Sequence, residues 1–361
     1  MNDYSQFVGT RPVAAAHRFD VAALERYLGS HVVGFAGPLR VEQFNGGQSN
    51  PTYRLTAAGR SYVLRRKPPG KLLPSAHAVD REYRVISALA GSDVPVALTH
   101  CLCLDDTVIG TAFYVMDFVA GRIFWDPLLP GMTRSQRHAI FAEMNRVIAA
   151  LHRVDFAAIG LGDYGRPGNY LARQIDRWSR QYQASATERI DAMDRLIDWL
   201  PRHIPAGDRT ALVHGDFRLD NMIFDPAEPR VLAVLDWELS TLGDPLVDFA
   251  YHLMAWRLAP DEFRGLRGCD FSALGIPDEN EYVAMYLRGN PAVAQPGRDD
   301  WDFYLAYNLF RMAGILQGVL ARGLAGNAAS VQAVDAGKRA RPLAELGWRH
   351  VEQRLARRGG D

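Results

Sequence analysis

The sequence predicts an α+β protein of two lobes, with an N-terminal antiparallel sheet lobe followed by a larger, mostly helical C-terminal lobe. Short apolar segments that alternate with polar residues are concentrated in residues 35–120, and this period of two is typical of half-buried strands. After Gly121 the apolar residues recur at helical spacing instead. We therefore predict one domain over residues 1–120 and another over 121–361, with a hinge at about 117–121.

The first lobe is predicted to contain five strands, a short helix before them and one helix inserted among them. Residues 1–19 lack periodicity, and we expect an arm there. Ala58-Gly59 and Asp105-Asp106 are turn signals between alternating segments. In chain order, the predicted elements are a helix over Val21–Leu28, strands over Leu39–Phe44, Thr52–Thr56 and Ser61–Arg66, a helix over Ala78–Ala90, and strands over Ala97–Leu104 and Ala112–Phe118.

The second lobe is predicted to be helical wherever apolar residues return every three or four positions. Ile140, Met144 and Leu151, for example, share one face of a helix. Two short strands interrupt this pattern, at Met222–Phe224 and Val231–Leu235. The predicted helices cover Ser135–Arg153, Tyr170–Tyr182, Ile190–Leu200 and Pro245–Trp256, and further helical stretches lie within Glu279–Leu287, Asp300–Leu320 and Ala329–Arg357.

Composition excludes several classes of function. Lys+Arg and Asp+Glu number 41 each, so bulk attraction to nucleic acid or to an anionic membrane is not expected. No run of 18 apolar residues exists, and charges in the first twenty residues argue against a signal peptide. Three cysteines cannot make a disulfide framework. We predict a cytoplasmic protein with neither a nucleic-acid nor a membrane partner. The sequence does not indicate which oligomeric state the protein adopts.

The most informative segment runs from Leu212 to Asn221. An apolar run leads into a loop that contains His214, Asp216 and Asn221, and the second strand of the following hairpin ends at Asp236-Trp237-Glu238. Phosphoryl transfer needs such a set, because one carboxylate orients the attacking hydroxyl while an amide oxygen and a second carboxylate hold Mg²⁺ on the phosphates. A carboxylate at the end of a buried strand is held in place, as a metal ligand must be. The spacing therefore predicts phosphotransferase chemistry.

His214, Asp216 and Asn221 resemble the His-x-Asp-x-x-x-x-Asn catalytic loop of kinases. Gly215 and the Asp236-Trp237-Glu238 ending are similar to the aminoglycoside phosphotransferase and choline kinase branch. The resemblance implies a protein kinase-like fold and use of ATP and Mg²⁺. It implies the following roles: Asp216 as catalytic base, His214 and Arg218 as further catalytic-loop residues with Arg218 near the γ-phosphate, Asn221 and Asp236 as Mg²⁺ ligands, Glu238 as a helper to a second metal, and Asp248 as a brace of the loop.

The same resemblance implies a nucleotide site in the first lobe. Its glycine loop would be Asn45–Asn50, with Gly46, Gly47 and Ser49 at the phosphates, although two adjacent glycines also suit an ordinary hairpin turn. Arg65 stands where kinases place a strand lysine, so it must supply the cation unless Lys67 does. The other implied members of the site are Glu82 as the ion-pair partner of that cation, and Asp117 and Val119 at a hinge that meets adenine.

The acceptor is predicted from a closer resemblance. Residues 49–74, 162–170 and 213–224 look like the kinase-like domain that is fused to acyl-CoA dehydrogenases in some animal proteins. This resemblance implies a hydroxyacyl-CoA acceptor and an acyl-CoA dehydrogenase as pathway partner. Arg173, Arg177 and Arg180 would share a helix face able to receive an anionic substrate, although a solvated stripe is the more common reason for such a pattern. The alternatives are an aminoglycoside- or choline-type kinase and a nucleotide-binding pseudokinase that regulates a partner.

Overall fold

The computed structural model describes residues 8–45, 50–68, 77–207, 209–325 and 333–358. Contacts divide the chain into two compact units, each built from three segments of chain. Unit 1 comprises Met1–Trp125, Ala157–Leu161 and Arg218–Ser240, and unit 2 comprises Asp126–Phe156, Gly162–Phe217 and Thr241–Asp361. The chain therefore passes from one unit to the other five times. The functional division at residues 117–121 stays a prediction.

Unit 1 contains a six-stranded antiparallel sheet with the order β1-β2-β3-β4-β6-β5. Its strands are β1 (Thr10–Arg11), β2 (Arg40–Phe44), β3 (Thr52–Ala57), β4 (Arg60–Arg66), β5 (Thr99–Cys103) and β6 (Phe113–Asp117). Two helices accompany it, α1 (Val21–His31) and α2 (Val79–Leu89), and the hairpin of β8 (Met222–Phe224) and β9 (Val231–Val234) completes the unit.

The hairpin between β3 and β4 forms where the turn signal predicts it. Ala58 and Gly59 both have positive φ angles, 46° and 77°, which match the two central positions of a tight hairpin turn. Burial alternates along β3, and its inward side chains Tyr53 and Leu55 pack in a core shared with α1. This packing keeps β4 in register, so that Arg65 lies opposite Thr52 on one side and Tyr114 on the other.

The N-terminal segment is more ordered than its sequence indicates. Thr10–Arg11 pairs with Phe44 and Gln43 at the edge of the sheet, and the Tyr53 hydroxyl donates to the carbonyl of His17. Residues 8–19 are thus tied to the sheet rather than forming an unattached arm. A two-residue strand is too short to leave any periodicity in the sequence, which is why the pattern did not reveal it.

Unit 2 is helical around a two-stranded ribbon of β7 (Ala211–Val213) and β10 (Thr241–Gly243). Its long helices are α3 (Arg134–Arg153), α4 (Tyr170–Ser185), α5 (Asp191–Trp199), α6 (Pro245–Arg257), α9 (Glu279–Gly289), α10 (Arg298–Leu324) and α12 (Ala340–Arg358). Two short helices, α7 (Pro260–Phe263) and α8 (Phe271–Leu274), had no clear sequence signal, whereas α11 (Ala333–Gly337) lies within the predicted helical stretch Ala329–Arg357.

Helices α6 and α10 form the interior of unit 2. Both are buried on nearly every face, which is typical of helices surrounded by other helices. The N-terminus of helix α6 is capped, because the Asp244 side chain accepts a hydrogen bond from the N–H of Leu246 and Pro245 occupies the first turn. The ribbon of β7 and β10 delivers the chain to the loop after Val213, beside α6. Within the described residues, no helix has both the length and the apolar character that crossing a bilayer requires.

Candidate functional site

In unit 2, the loop after β7 is held by one buried carboxylate on α6. Asp248 is 3% exposed, and its two oxygens accept hydrogen bonds from the backbone N–H groups of His214 and Gly215, each at 2.8 Å. His152 Nε2 lies 3.2 Å from the same carboxylate. Burial alone would raise the pKa of Asp248, but the hydrogen bonds to His152 and to the loop N–H groups outweigh burial and lower it. Asp248 therefore braces the loop, as expected.

Gly215 lets the loop turn at this point. Its φ of +82° is a left-handed conformation that residues with a Cβ rarely adopt. The N–H of Asp216 then donates to Nδ1 of the fully buried His214, at 3.2 Å. The Asp216 side chain is half-buried. The backbone of the loop is thus hydrogen-bonded at His214, Gly215 and Asp216, leading into the predicted base.

Two further residues of unit 2 contact this loop. The Tyr251 hydroxyl, on α6, donates a hydrogen bond to Oδ1 of Asp216. Arg311, on α10, donates from Nη2 to the carbonyl oxygen of Gly215 at 2.8 Å, and its guanidinium lies over the ring of Tyr251. Sequence analysis identified neither residue, because they lie 35 and 96 positions away from the groups that they contact.

In unit 1, Arg65 gathers three carboxylates. Its Nε lies 2.8 Å from Glu82, and its Nη2 lies 2.6 Å from Asp236 and 3.5 Å from Glu238. The Arg65 side chain is 11% exposed. Burial opposes the charge on Arg65, but these acidic partners raise its pKa, so the guanidinium stays protonated. The structure therefore pairs Arg65 with Glu82, as predicted, and also with the two carboxylates at the end of β9.

Glu82 lies in a buried polar network. It accepts hydrogen bonds from the side chains of Asn50 at 2.7 Å and Tyr114 at 3.1 Å. Burial raises the pKa of Glu82, while Arg65 and these two donors partly offset the shift. His77 in turn lies 2.9 Å from Asn50. The network fixes the orientation of Glu82 and, through it, of Arg65. A lone Asn or Tyr carries no sequence signal for this role.

The proposed metal ligands lie around the β8–β9 hairpin of unit 1. Asn221 ends a short 3₁₀ turn before β8, and its carbonyl accepts from the N–H of Leu235, the residue that precedes Asp236. Asp236 has a left-handed backbone, with φ 63° and ψ 58°, which is a strained conformation for a residue other than glycine.

The donor set of these residues fits Mg²⁺. Asp236 and Glu238 offer carboxylate oxygens and Asn221 an amide oxygen, the hard donors that Mg²⁺ prefers. Over the described parts of the chain, no group of three or more His, Cys, Asp or Glu side chains is arranged to hold a metal. A site of two carboxylates and one amide agrees with this finding, because Mg²⁺ on a nucleotide takes its other ligands from phosphates and water.

The remaining predicted site residues are placed as follows. Gly46, Gly47 and Ser49 lie outside the described residues. Asp117 ends β6, where its carboxylate lies 2.7 Å from His100 Nε2, and Val119 follows half-buried in an extended segment. Arg218 is half-buried, with Nη2 3.6 Å from Asp220. Their roles in binding nucleotide stay predictions.

The predicted arginine stripe on α4 is only partly available to a ligand. Arg173 donates to the backbone carbonyls of Arg166 and Gly168, and Arg180 pairs with Asp176. Arg177 is exposed, and its guanidinium lies over the ring of Trp178 with the Cζ atom 5.4 Å from the ring centroid. Two of the three cations are therefore used within the protein itself.

A sequence profile of the phosphotransferase enzyme family matches residues 40–294. A relative from Mus musculus, named acyl-CoA dehydrogenase family member 10, is 49% identical over an alignment of 346 residues that covers 94% of this chain. The match covers 32% of that relative, so the chain spans about a third of its length.

Two solved structures are similar to this one. A protein from Ralstonia eutropha, whose name assigns it provisionally to the aminoglycoside phosphotransferases, is 58% identical, with a TM-score of 0.85 over 93% of this chain and 99% of its own. A mutant of aminoglycoside phosphotransferase APH(4)-Ia, in complex with ADP and hygromycin B, shares the fold at 15% identity, with a TM-score of 0.57 over 90% of this chain and 99% of its own. The kinase-like α+β fold is thereby confirmed. The chain belongs to the phosphotransferase enzyme family.

Proposed function

We propose that this chain is an ATP- and Mg²⁺-dependent phosphotransferase that phosphorylates a hydroxyl group of a small molecule. The observation that carries the proposal is the support of the Asp216 loop, in which one buried carboxylate, Asp248, accepts from two successive backbone N–H groups. Family membership gives the reaction class. The ADP in the APH(4)-Ia structure supports a nucleotide as phosphate donor.

The residues suggest how the reaction runs. Asp216 accepts the proton of the acceptor hydroxyl as that oxygen attacks the γ-phosphorus of ATP, while the bond from this phosphorus to the β,γ-bridging oxygen breaks and ADP leaves. Arg65, held by Glu82, supplies a cation for the nucleotide phosphates, and Arg218 follows the base by two residues. Mg²⁺, held by Asn221, Asp236 and Glu238, would neutralise charge on the phosphates. Most of the catalysis is then positioning and electrostatic stabilisation.

A nucleotide-binding pseudokinase is the rival from another class. The acidic positions argue against it, because Asp216, Asn221 and Asp236 are all present and Arg65 keeps a buried cation beside Glu82. A pseudokinase has no need to orient a base, so the bracing of the Asp216 loop would serve no purpose in it. Metal-dependent ATP turnover with candidate acceptors separates the two readings.

The acceptor class that we propose is a hydroxyacyl-CoA or a related anionic hydroxy acid derivative. Its support is the 49% identity to a protein named for acyl-CoA dehydrogenases, over 94% of this chain. Phosphorylation converts a hydroxyl into a good leaving group, which a dehydrogenase-type partner could use in a later elimination. An aminoglycoside is the second candidate, because the two solved structures carry that name.

Removal of the base tests the reaction. We expect Asp216→Asn to lower kcat by about 10²–10⁴, the usual contribution of a general base, while ATP still binds. Asp236→Ala should instead abolish Mg²⁺-dependent nucleotide binding, measured by calorimetry with and without the metal. Wild-type turnover in both variants would contradict the assignment.

A screen of ADP release identifies the acceptor. We expect saturable turnover with at least one member of a hydroxyacyl-CoA series and none with kanamycin or choline, with free hydroxy acids included to show whether CoA is needed. The Asp216→Asn protein is the matched control, because it removes the base and keeps the fold. Saturable phosphorylation of kanamycin, with every thioester silent, would overturn the acceptor class but leave the phosphotransferase assignment standing.

A further inference from the structure

Two buried helices of unit 2, α6 and α10, contact the loop that carries Asp216. Asp248 and Tyr251 lie three positions apart on α6 and therefore share one face of that helix. Asp248 accepts hydrogen bonds from two N–H groups of the loop, and the Tyr251 hydroxyl donates one to the carboxylate of Asp216 itself. Arg311, on α10, donates a hydrogen bond to the carbonyl oxygen of Gly215.

Together these contacts restrict the backbone before Asp216 and the end of its side chain. The N–H of Gly215 is bonded to Asp248 and its carbonyl to Arg311, so the peptide units on both sides cannot rotate independently. The terminal torsion of an aspartate is broad when nothing holds it. A donor fixed on Oδ1 removes that freedom and sets the plane of the carboxylate.

Arg311 is a buried cation that lies against aromatic rings. It is 8% exposed, and its guanidinium carbon lies 5.2 Å from the ring centroid of Tyr251 and 5.7 Å from that of Trp178. Burial opposes its charge, but neighbouring tyrosines and Asp216 raise its pKa, so it stays protonated. The cation therefore holds the loop carbonyl and the tyrosine ring at the same time.

We propose that Tyr251 and Arg311 are positioning residues for the base: Tyr251 orients the Asp216 carboxylate toward the acceptor hydroxyl, and Arg311 holds both the Gly215 carbonyl and the Tyr251 ring. The proposal rests on the function proposed above, since it assigns a purpose to the orientation of Asp216. Neither residue touches substrate in this scheme. Both act through Asp216.

The first test separates kcat from KM. Tyr251→Phe should lower kcat for the acceptor by about tenfold or more, since misplacement of a catalytic group is costly, and should leave KM for ATP within about twofold. Arg311→Met should act in the same direction, and Arg311→Lys should recover part of the loss because the charge survives. The matched control is Tyr53→Phe, which removes another buried tyrosine hydroxyl, bonded to the carbonyl of His17 in unit 1, and should leave kcat unchanged. Equal kcat in Tyr251→Phe and Tyr53→Phe would contradict the proposal.

The second test is a double-mutant cycle with the base. If Tyr251 acts only through Asp216, Tyr251→Phe should not lower the residual rate of the Asp216→Asn protein further. A purely structural role predicts an additional loss in that background, and such a loss would overturn the proposal. A wild-type protein that turns over no acceptor and no ATP would refute the proposed function instead. The crystal structure of Tyr251→Phe then decides the positioning role, because an Asp216 side chain in an unchanged orientation would contradict it.

Discussion

At the scale of single residues, Arg65 concentrates the electrostatics of unit 1. One guanidinium faces Glu82, Asp236 and Glu238, so the cluster carries more negative than positive charge. A buried carboxylate such as Glu82 depends on its cation, because an isolated buried charge is strongly destabilising. The excess negative charge of this cluster favours an additional cation beside it. Arginine also offers several donors in a plane, which a lysine at this position would not.

Substitution of Arg65 separates its charge from its shape. We expect Arg65→Ala to raise KM for ATP about tenfold or more and to depress turnover, since hydrogen bonds to charged groups are worth ~1.5–3 kcal/mol. Arg65→Lys should retain part of the activity because the charge survives. The measurements are steady-state kinetics over a range of ATP concentrations, with circular dichroism to verify folding. Lys67→Ala is the matched control, and a crippled Lys67→Ala beside an unaffected Arg65→Ala would show that Lys67 is the phosphate cation.

At this scale the sequence predicted the residues that follow one another closely along the chain. His214, Asp216 and Asn221 stand within eight positions, and their spacing, together with the acidic residues after the following hairpin, predicted phosphotransferase chemistry. Tyr251 and Arg311 were not predictable, because only tertiary packing brings them to the loop. The pairing of Arg65 with Glu82 was expected from resemblance, whereas the contribution of Asn50 to Glu82 required the structure.

At the scale of elements, helix α12 places a histidine in the core. His350 is 5% exposed, neither of its ring nitrogens has a hydrogen-bond partner among the described residues, and Asp302 Oδ1 lies 3.8 Å from Nδ1. Burial, with help from Arg257 nearby, lowers the pKa of His350 to about 4. In the unfolded chain a histidine binds a proton near pH 6.5, whereas folded His350 binds one only near pH 4. The free energy of unfolding therefore decreases as the pH falls from 6.5 toward 4.

We therefore expect His350 to make the protein less stable in mild acid. At pH 5.5 the loss should be about 1 kcal/mol relative to pH 7.5. Denaturant unfolding at the two pH values measures it, and His350→Phe should reduce the difference between them by that amount. His138→Gln, at an exposed position on α3, is the control and should keep the wild-type difference. An identical pH dependence in His350→Phe and wild type would rule out His350 as the source.

Periodicity predicted the long elements well and the shortest ones poorly. The seven long helices of unit 2 and strands β2 to β6 all overlap predicted segments, because each buries at least one regular face. Strands β1, β7 and β10 are two or three residues long, and no period can be read from so few positions, whereas the equally short β8 was predicted as part of a hairpin with β9. Such strands exist because neighbouring strands pair with them, which is a property of the fold and not of their own sequence.

At the scale of the whole molecule, the boundaries of the units do not follow a single cut in the chain. The hairpin of β8 and β9 belongs to unit 1 although it lies a hundred residues after β6. Sequence patterns place a boundary where the type of secondary structure changes, near residue 120. They do not detect a segment that returns later to the first unit, because returning segments have ordinary strand patterns.

The later segment should be needed for unit 1 to fold. We expect a fragment of residues 1–125 to show no cooperative thermal transition by circular dichroism, since it lacks residues 218–240 and leaves Arg65 without Asp236 and Glu238. A matched protein that joins residues 1–125 to 218–240 through a Gly/Ser linker should recover a transition. A cooperative transition in the shorter fragment alone would contradict this expectation.

The hydrogen bond from Arg311 to Gly215 also affects when the loop can be held during synthesis of the chain. Arg311 follows Gly215 by 96 residues, so at 5–20 residues per second the ribosome adds it roughly 5 to 20 s after the loop has been made. Throughout that interval the nascent chain contains the Asp216 loop but not α10, one of the two helices that contact it. A ribosome-bound chain therefore cannot form the hydrogen bond between Arg311 and Gly215 until α10 has emerged.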